Sequence, residues 1–280
     1  MRPALRRLGR GALTATAILV SLLFLVPILW LIVSSLRTAD DTFAASSPLS
    51  WQILWPQSPT TVNLRSAIDN GFVTALVNST IVVVATIVGG LAVSAAAAFA
   101  LAVIPFWGRA AVFSVVVLSF LVPFEAIAIP LSRTFNDWGL SNSLPALILP
   151  GLGNGLAVFT LRQAFLGVPP SLSEAAHLDG AGWFRIFWSI YLPLSRPAMI
   201  GAGLILFLFQ WQAYLWPVLI TSTDSLDLAP VAIAKSFTAF SSDYGRVFAE
   251  TAVLALIPAV VLLVLQRYFV SSVASTGSKE

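Results

Sequence analysis

The sequence predicts an all-α integral membrane protein with six transmembrane helices and a polar cytoplasmic loop between the fourth and the fifth. Three observations carry that expectation. Of the 280 residues, 58% are hydrophobic and 10% are charged, whereas a soluble domain carries about 25% charge. No protein interior absorbs that much apolar chain, so the solvent is lipid. Six stretches supply the roughly 20 apolar residues that a helix needs to cross a hydrocarbon core. Strands are excluded because open sheets leave unsatisfied edges in lipid, and the alternating pattern of a barrel is missing.

The six stretches run from Leu13 to Leu36, Phe72 to Val103, Ala110 to Leu131, Leu144 to Phe165, Ala198 to Thr221 and Val247 to Val270. The second is longer than one crossing requires, so it tilts or extends beyond the bilayer. Within it, Gly90, Ser94, Ala98 and Ala102 repeat every four residues, a small-residue stripe that lets another helix approach closely. Ahead of the first stretch, Arg2, Arg6, Arg7 and Arg10 have the look of a secretory signal, and Phe43-Ala44-Ala45 offers small residues for cleavage. The apolar run is too long for such a signal and contains Pro27 and Trp30, so an uncleaved first helix is expected.

Orientation follows from the distribution of Lys and Arg. With the N-terminus inside, the inner set is Arg2, Arg6, Arg7, Arg10, Arg109, Arg162, Arg185, Arg196, Arg267 and Lys279, twice the outer set of Arg37, Arg65, Arg133, Lys235 and Arg246. Both termini are therefore expected in the cytoplasm, in a multi-pass protein of the cell (inner or plasma) membrane. The outer loops carry Trp51, Trp55 and Trp138, residues that suit the interfacial belt. Glu250, near the outer end of the sixth helix, is expected to be solvated and paired with Arg246 four residues earlier.

The isoelectric point near 9.7 is explained by this topology and does not require nucleic acid as a partner. With no cysteine and one histidine, thiolate chemistry and cysteine- or histidine-clustered metal sites are excluded. No G-x-x-x-x-G-K-[ST] is present, since Lys235 and Lys279 follow Ala234 and Ser278; the chain has no phosphate loop of its own. An intramembrane hydrolase would need a nucleophile and a base within reach. His177 lies in a loop away from the membrane-embedded serines, which leaves it as a solvated histidine. A passive channel remains open as a third class.

The loop spanning 167–197 is the most polar long segment. Pro169-Pro170 ends helix four. Ser171 and Glu174 have the spacing of a capping box, which predicts a short helix from Leu172 to about Leu178, closed by a left-handed Gly180. A second short helix is expected from about Trp183 to Tyr191, stopped by Pro193. On residue types alone, this is an amphipathic elbow with Trp183, Phe184, Phe187 and Trp188 on lipid and Arg185 in water. Ala175 and Ala176 flatten one face and permit close approach of another backbone.

The spacing of this loop resembles the EAA loop of ABC importer permeases, whose pattern is EAA, three residues, G, nine residues, I, one residue, LP. Here Glu174-Ala175-Ala176 is followed by Gly180, Ile190 and Leu192-Pro193, with Asp179 and Ala181 flanking the glycine as in the family. The resemblance extends along nearly the whole chain. It includes Asn78-Ser79, Pro105-Phe106-Trp107-Gly108-Arg109, Pro123, Ile129-Pro130, Gly139-Leu140-Ser141-Asn142, Ala146-Leu147-Ile148-Leu149-Pro150, Leu161-Arg162-Gln163, Pro258 and Gln266-Arg267-Tyr268-Phe269-Val270. It points to the carbohydrate branch, similar to the maltose-type permease with a six-helix plan.

The resemblance implies a cytoplasmic N-terminus (1–11), an ABC transporter transmembrane domain (12–270) and a cytoplasmic tail (271–280). It also implies that Glu174, Ala175, Ala176, Asp179 and Gly180 form a coupling helix docked into a groove of a cytoplasmic ATPase. Two such ATPase subunits would bind ATP and Mg, and this chain would be no enzyme and hold no cofactor. A second, related permease (a heterodimer) and an extracytoplasmic solute-binding protein complete the implied assembly. The solute would be a sugar or sugar-like molecule, with a non-sugar such as glycerol phosphate as the alternative. Where the family reads W-N-[DE] in helix five, this chain has Trp211-Gln212-Ala213, so solute specificity is not carried over.

Polar groups inside lipid-spanning segments call for a functional hypothesis. Helix five holds Gln210, Trp211, Gln212, Tyr214 and Trp216, a mixture of amides and aromatic faces suited to a neutral polyhydroxylated ligand. Gln212 falls roughly 21 Å from Ala198 at 1.5 Å per residue, in the outer half. Glu125 in helix three adds a candidate for the solute path. For Gln210 and Gln212 the competing expectation is hydrogen bonding between helices, and for Trp216 a place in the interfacial belt.

Overall fold

The computed structural model describes residues 2–46, 50–237 and 243–276. In chain order the helices are α1 (Arg2–Ser35), α2 (Ala39–Ser46), α3 (Val62–Asp69), α4 (Phe72–Ala102), α5 (Arg109–Leu121), α6 (Phe124–Asp137), α7 (Leu144–Leu152) and α8 (Gly155–Leu166). After these come α9 (Pro170–Leu178), α10 (Trp183–Ile186), a π turn (Phe187–Tyr191), α11 (Leu192–Leu194), α12 (Arg196–Trp211), α13 (Leu215–Ile220), α14 (Ala229–Ser236) and α15 (Tyr244–Thr276). Among the described residues there is no sheet. Lys279 and the rest of 277–280 lie outside the described residues, as do the side chains of Arg2, Arg6, Arg7, Arg10 and Arg267.

Three stretches are long and apolar enough to span a membrane unbroken: Leu13–Ser35, Phe72–Ala102 and Tyr244–Gln266. Two of the other expected spans are bent pairs, and a third bent pair joins the elbow to the first part of the expected Ala198 to Thr221 span. Arg109–Leu121 meets Phe124–Asp137 at 98°, Leu144–Leu152 meets Gly155–Leu166 at 42°, and Trp183–Leu194 meets Arg196–Trp211 at 84°. By length and composition the described residues hold three such helices, or up to six if each bent pair is one span, and Ala198 to Thr221 is itself interrupted after Trp211. Hydropathy averages over such breaks, which is why the sequence read Ala110 to Leu131 as one helix. Val122 is extended before Pro123, as the ring of a following proline requires, and α6 starts in a new direction.

The chain forms two compact units, Met1–Val73 with Ile233–Ile257, and Thr74–Ala232 with Pro258–Glu280. In the first, the connection after α1 is locked from within. Arg37 is buried at 3% exposure and donates from Nη2 to the carbonyls of Gln52 and Trp55. Asn63 donates to the Ser35 carbonyl at 3.0 Å and to that of Arg37. Glu250 pairs with Arg246 at 3.4 Å as expected, but it is buried at 2% exposure rather than solvated. The Ser236 hydroxyl donates to its other oxygen at 2.9 Å, which meets the hydrogen-bonding demand of a buried carboxylate.

In the second unit the small-residue stripe of α4 works as packing. Ser94 and Ala98 are fully buried, and a Cβ on Gly90 would lie 3.0 Å from Leu206 of α12. One apolar cluster joins Phe99 and Leu101 of α4, Leu161 and Phe165 of α8, Ile186, Tyr191 and Leu206. A second joins Val82, Phe135, Leu147, Trp216 and Ile220. Asn78 and Ser79 tie α4 to the segment before α14: Asn78 donates to the carbonyls of Ser225 (2.8 Å) and Asp227 (3.1 Å), and the Ser79 hydroxyl accepts from the Ala229 amide at 2.8 Å.

Candidate functional site

The loop after α8 is built by its own backbone. Pro170 occupies the first helical position of α9, where a missing N–H costs nothing. The helix therefore begins earlier than the Leu172 expected from the capping box. Pro169 is its N-cap and no side chain caps it. Ser171 lies within the first turn, and the Ser171–Glu174 capping box does not form, because a serine already in helical geometry cannot reach back to the free amides. The Glu174 carboxylate is exposed and makes no hydrogen bond or ion pair among the described residues.

The other end of α9 forms as the sequence predicts. Gly180 takes φ +80°. The Gly180 amide donates to the His177 carbonyl at 3.0 Å and the Ala181 amide to the Ala176 carbonyl at 2.9 Å, the paired bonds of a Schellman turn. Ala176 and Ala181 pack onto the cluster around Phe99. Glu174, Ala175, Asp179 and Gly180 face outward on the same short element, and Leu178 is 90% exposed. Sequence reasoning passed over Leu178. An apolar residue one position before the motif's Asp-Gly was the available signal.

Pro193 does not stop the second helix. Trp183–Leu194 runs through it, because the turn Phe187–Tyr191 widens and the Leu192 amide donates to the Phe187 carbonyl five residues back. Widening removes the clash that proline makes with the carbonyl four residues earlier. The same turn brings Phe187 and Tyr191 to ring-centroid distances of 5.1 Å from Phe99, with Phe165 and Trp183 both at 6.4 Å. His177 meets Trp183 edge-on at 4.2 Å. The aromatic side chains expected on lipid are thus divided. Phe187 faces the core, while Phe184 and Trp188 are 76% and 63% exposed.

The proposed solute-path residues fall into two groups. Helix five is interrupted at Gln212–Tyr214, between α12 and α13. Gln210 and Trp211, at the end of α12, are buried. The Gln210 amide points at the Leu147 carbonyl at 3.5 Å, and Trp211 stacks on Phe207 at 5.6 Å. Gln212 and Tyr214 are exposed at the break, and Glu125 is exposed in the first turn of α6. Contact between Phe124 and Trp216, with ring centroids 5.9 Å apart, sets α6, which carries Glu125, beside α13, which follows the break. Among the described residues no hydrogen bond joins Glu125 to Gln212 or Tyr214. Trp216 belongs to neither the belt nor the path: it is buried, and its Nε1–H donates to the Ala146 carbonyl at 2.9 Å.

Further along α6 and α13 lies a polar cleft of about 380 Å³ bordered by Arg133, Asn136, Ser141, Asn142, Thr221 and Ser222. Asn142, at φ +57°, shapes it. Its side-chain oxygen accepts from the Ser222 amide (3.0 Å), the Thr223 amide (3.2 Å) and the Thr223 hydroxyl (3.0 Å). Asparagine tolerates this left-handed backbone better than most residues.

Residues 89–275 match the model of a family described as binding-protein-dependent transport system inner membrane component. The match covers the elbow, the Phe99 cluster and the break in helix five. This chain belongs to that family.

Relatives agree with the assignment. The permease is 34% identical to an sn-glycerol-3-phosphate transport system permease protein of Rhizobium meliloti, over 84% of this chain and 89% of the relative. It is 32% identical to an arabinooligosaccharides transport system permease protein of Halalkalibacterium halodurans, over 72% of each chain. Its fold matches a chain in the crystal structure of a bacterial ABC transporter involved in the import of the acidic polysaccharide alginate. That match has a TM-score of 0.78 and 21% identity, and it covers 92% of this permease and 96% of that chain. A second match, to the bacterial alginate ABC transporter in complex with an alginate pentasaccharide-bound periplasmic protein, has a TM-score of 0.57 and 14% identity over 94% of each chain. The permease is thus a multi-pass inner-membrane transport component that works with a binding protein, and this replaces the channel and hydrolase alternatives.

Proposed function

We propose that this permease passes a sugar or sugar-like solute into the cytoplasm, driven by ATP hydrolysis in separate subunits docked on the loop Glu174–Gly180. The observation that carries this reading is the Schellman-closed α9, which sets an unpaired carboxylate (Glu174) and an exposed Leu178 on a lever rooted in the Phe99 cluster. Both termini and this loop lie on the cytoplasmic side. Two ATPase subunits bind ATP and Mg, and a second, related permease completes the pathway. Ala175 and Ala176 let an ATPase groove approach closely. Movement of α9 is passed through Ala181 and the His177–Trp183 contact to Phe99 on α4, so that docking and the arrangement of the membrane helices change together. An equilibrium between inward- and outward-facing states moves only through contacts that differ between them, and this loop supplies such a contact.

Gln212, Tyr214 and Glu125 contact the solute, and Gln210 and Trp211 shape the wall behind them. A phosphorylated polyol is the second reading, favoured by the 34% identity to the glycerol-3-phosphate relative. The test is to purify the permease with its co-purifying subunits and measure ATP hydrolysis with binding protein and a solute panel. Stimulation by sugars supports the first reading, and stimulation by phosphorylated polyols alone supports the second. Glu174→Lys is expected to abolish coupled hydrolysis and transport together while membrane insertion survives. Normal transport by that variant removes the coupling role. Because the chain lacks cysteine, orientation is read by labelling single cysteines placed at 178 and 138 from each side of the membrane.

A further inference from the structure

We propose that the turn between α4 and α5 binds the phosphate headgroup of an anionic phospholipid, held by Arg109 and Arg162 with Trp107 beside them. The two arginines come from different helices and converge on one point. Arg162, from α8, donates through Nε to the Leu101 carbonyl at 3.1 Å, and Arg109, which opens α5, donates through Nη1 to the Ala102 carbonyl at 3.4 Å. Successive carbonyls at the end of α4 thus anchor two like charges side by side. Each bond uses a single nitrogen of its guanidinium. Among the described residues neither arginine has a carboxylate partner. Both are half-buried, so their remaining donors face the surface, and a pair of planar guanidinium groups matches the oxygens of a phosphate.

The surroundings select a lipid over a free anion or an acidic protein. The Arg162 guanidinium carbon lies 3.8 Å above the centre of the Phe113 ring, so one face of the charge is already against apolar surface. Trp107 is 99% exposed and Phe106 43% exposed, at the end of the Phe72–Ala102 span, where aromatic residues sit at headgroup depth. Next to them α5 exposes Val112, Val115 and Leu118, a face for acyl chains. Basic pockets between membrane helices recognise anionic headgroups in this way. The site requires only that this turn meet the bilayer surface; its assignment to the cytoplasmic leaflet rests on the orientation proposed above.

Each basic residue near an anionic surface is worth about a fivefold preference, so removing both charges predicts about thirty-fold weaker retention. The experiment places the full chain, with the subunits that co-purify with it, in nanodiscs of phosphatidylcholine doped with phosphatidylglycerol. Bound phosphatidylglycerol is then counted by native mass spectrometry. The Arg109→Gln, Arg162→Gln double variant removes both charges, keeps an amide donor where the Arg162 Nε bonds the Leu101 carbonyl, and is expected to lose the anionic lipid but not phosphatidylcholine. Trp107→Ala keeps both charges, cannot disturb the core, and is expected to show a smaller loss. The proposal is overturned by equal phosphatidylglycerol retention in wild type and double variant. Displacement of the lipid by inorganic phosphate alone, which marks a small-anion site, also overturns it. So does loss of a co-purifying subunit at unchanged lipid count, which marks a protein contact. Cysteine labelling reads the orientation separately, so a wrong leaflet and a missing lipid site give different results.

Discussion

Replacing Gly180 by alanine tests the lever most directly, because the structure isolates a single cause. A Cβ at this position meets nothing within 4 Å, so the substitution adds no steric clash. The cost comes entirely from φ +80°, where an L-residue is destabilised by roughly 1–2 kcal/mol. That corresponds to about a 5- to 30-fold shift away from the Schellman geometry. The turn is exposed and closed by two backbone bonds, so the loss is local and leaves the membrane helices intact. The assay is binding-protein-stimulated ATP hydrolysis in proteoliposomes, alongside solute uptake and the yield of inserted protein. Gly180→Ala is expected to lower coupled hydrolysis and uptake in parallel at constant insertion. Gly180→Asn is expected to fall between it and wild type, because asparagine tolerates the left-handed region. Gly182 supplies the control. Its φ is −75° at the N-cap of α10, so Gly182→Ser is expected to couple normally. Full coupling by Gly180→Ala, or equal damage from Gly182→Ser, refutes the reasoning.

Four further substitutions test the proposed solute path and the packing behind it. Gln212→Ala is expected to change solute affinity or selectivity without lowering thermal stability, whereas Gln210→Ala is expected to lower the melting temperature, since Gln210 is buried against Leu147. A Cβ on Gly151 would lie 2.7 Å from both Gln210 Oε1 and Thr86 Cγ2, so Gly151→Ala is expected to destabilise by roughly 1–3 kcal/mol through overpacking, read as reduced yield and melting temperature of the purified chain. Phe99→Leu keeps the apolar character of the hub but removes four ring contacts. ATPase co-purification is expected to persist while solute moved per ATP falls.

Much of the architecture was legible because lipid imposes a simple rule on sequence. The ends of the second apolar stretch, Phe72 to Val103, match α4 to within one residue, since every residue of a spanning helix must either be apolar or be packed. Gly180 was legible because the left-handed position is a local backbone requirement. The breaks at Pro123 and at Gln212–Tyr214 were not, because hydropathy is continuous across them. The capping box failed for a competing local reason: Pro170 starts the helix first. The role of Pro193 was misread because a π turn, held by neighbouring aromatic packing, absorbs its clash. Gln210 and Gln212 are identical in type and two residues apart, yet one is buried and the other exposed. Nothing in the residue types decides between them.

Sequence alone determined that the chain lives in lipid, that it carries no phosphate loop, and that one polar loop closes on a glycine, because composition and backbone preference are properties of single residues and short windows. Tertiary structure decided which polar residues are buried and which are exposed, how Phe99 gathers rings from α8, α10 and the π turn, and that Arg109 and Arg162 meet at the end of α4. Those are distances between helices far apart in the chain, and they are fixed only when the helices pack.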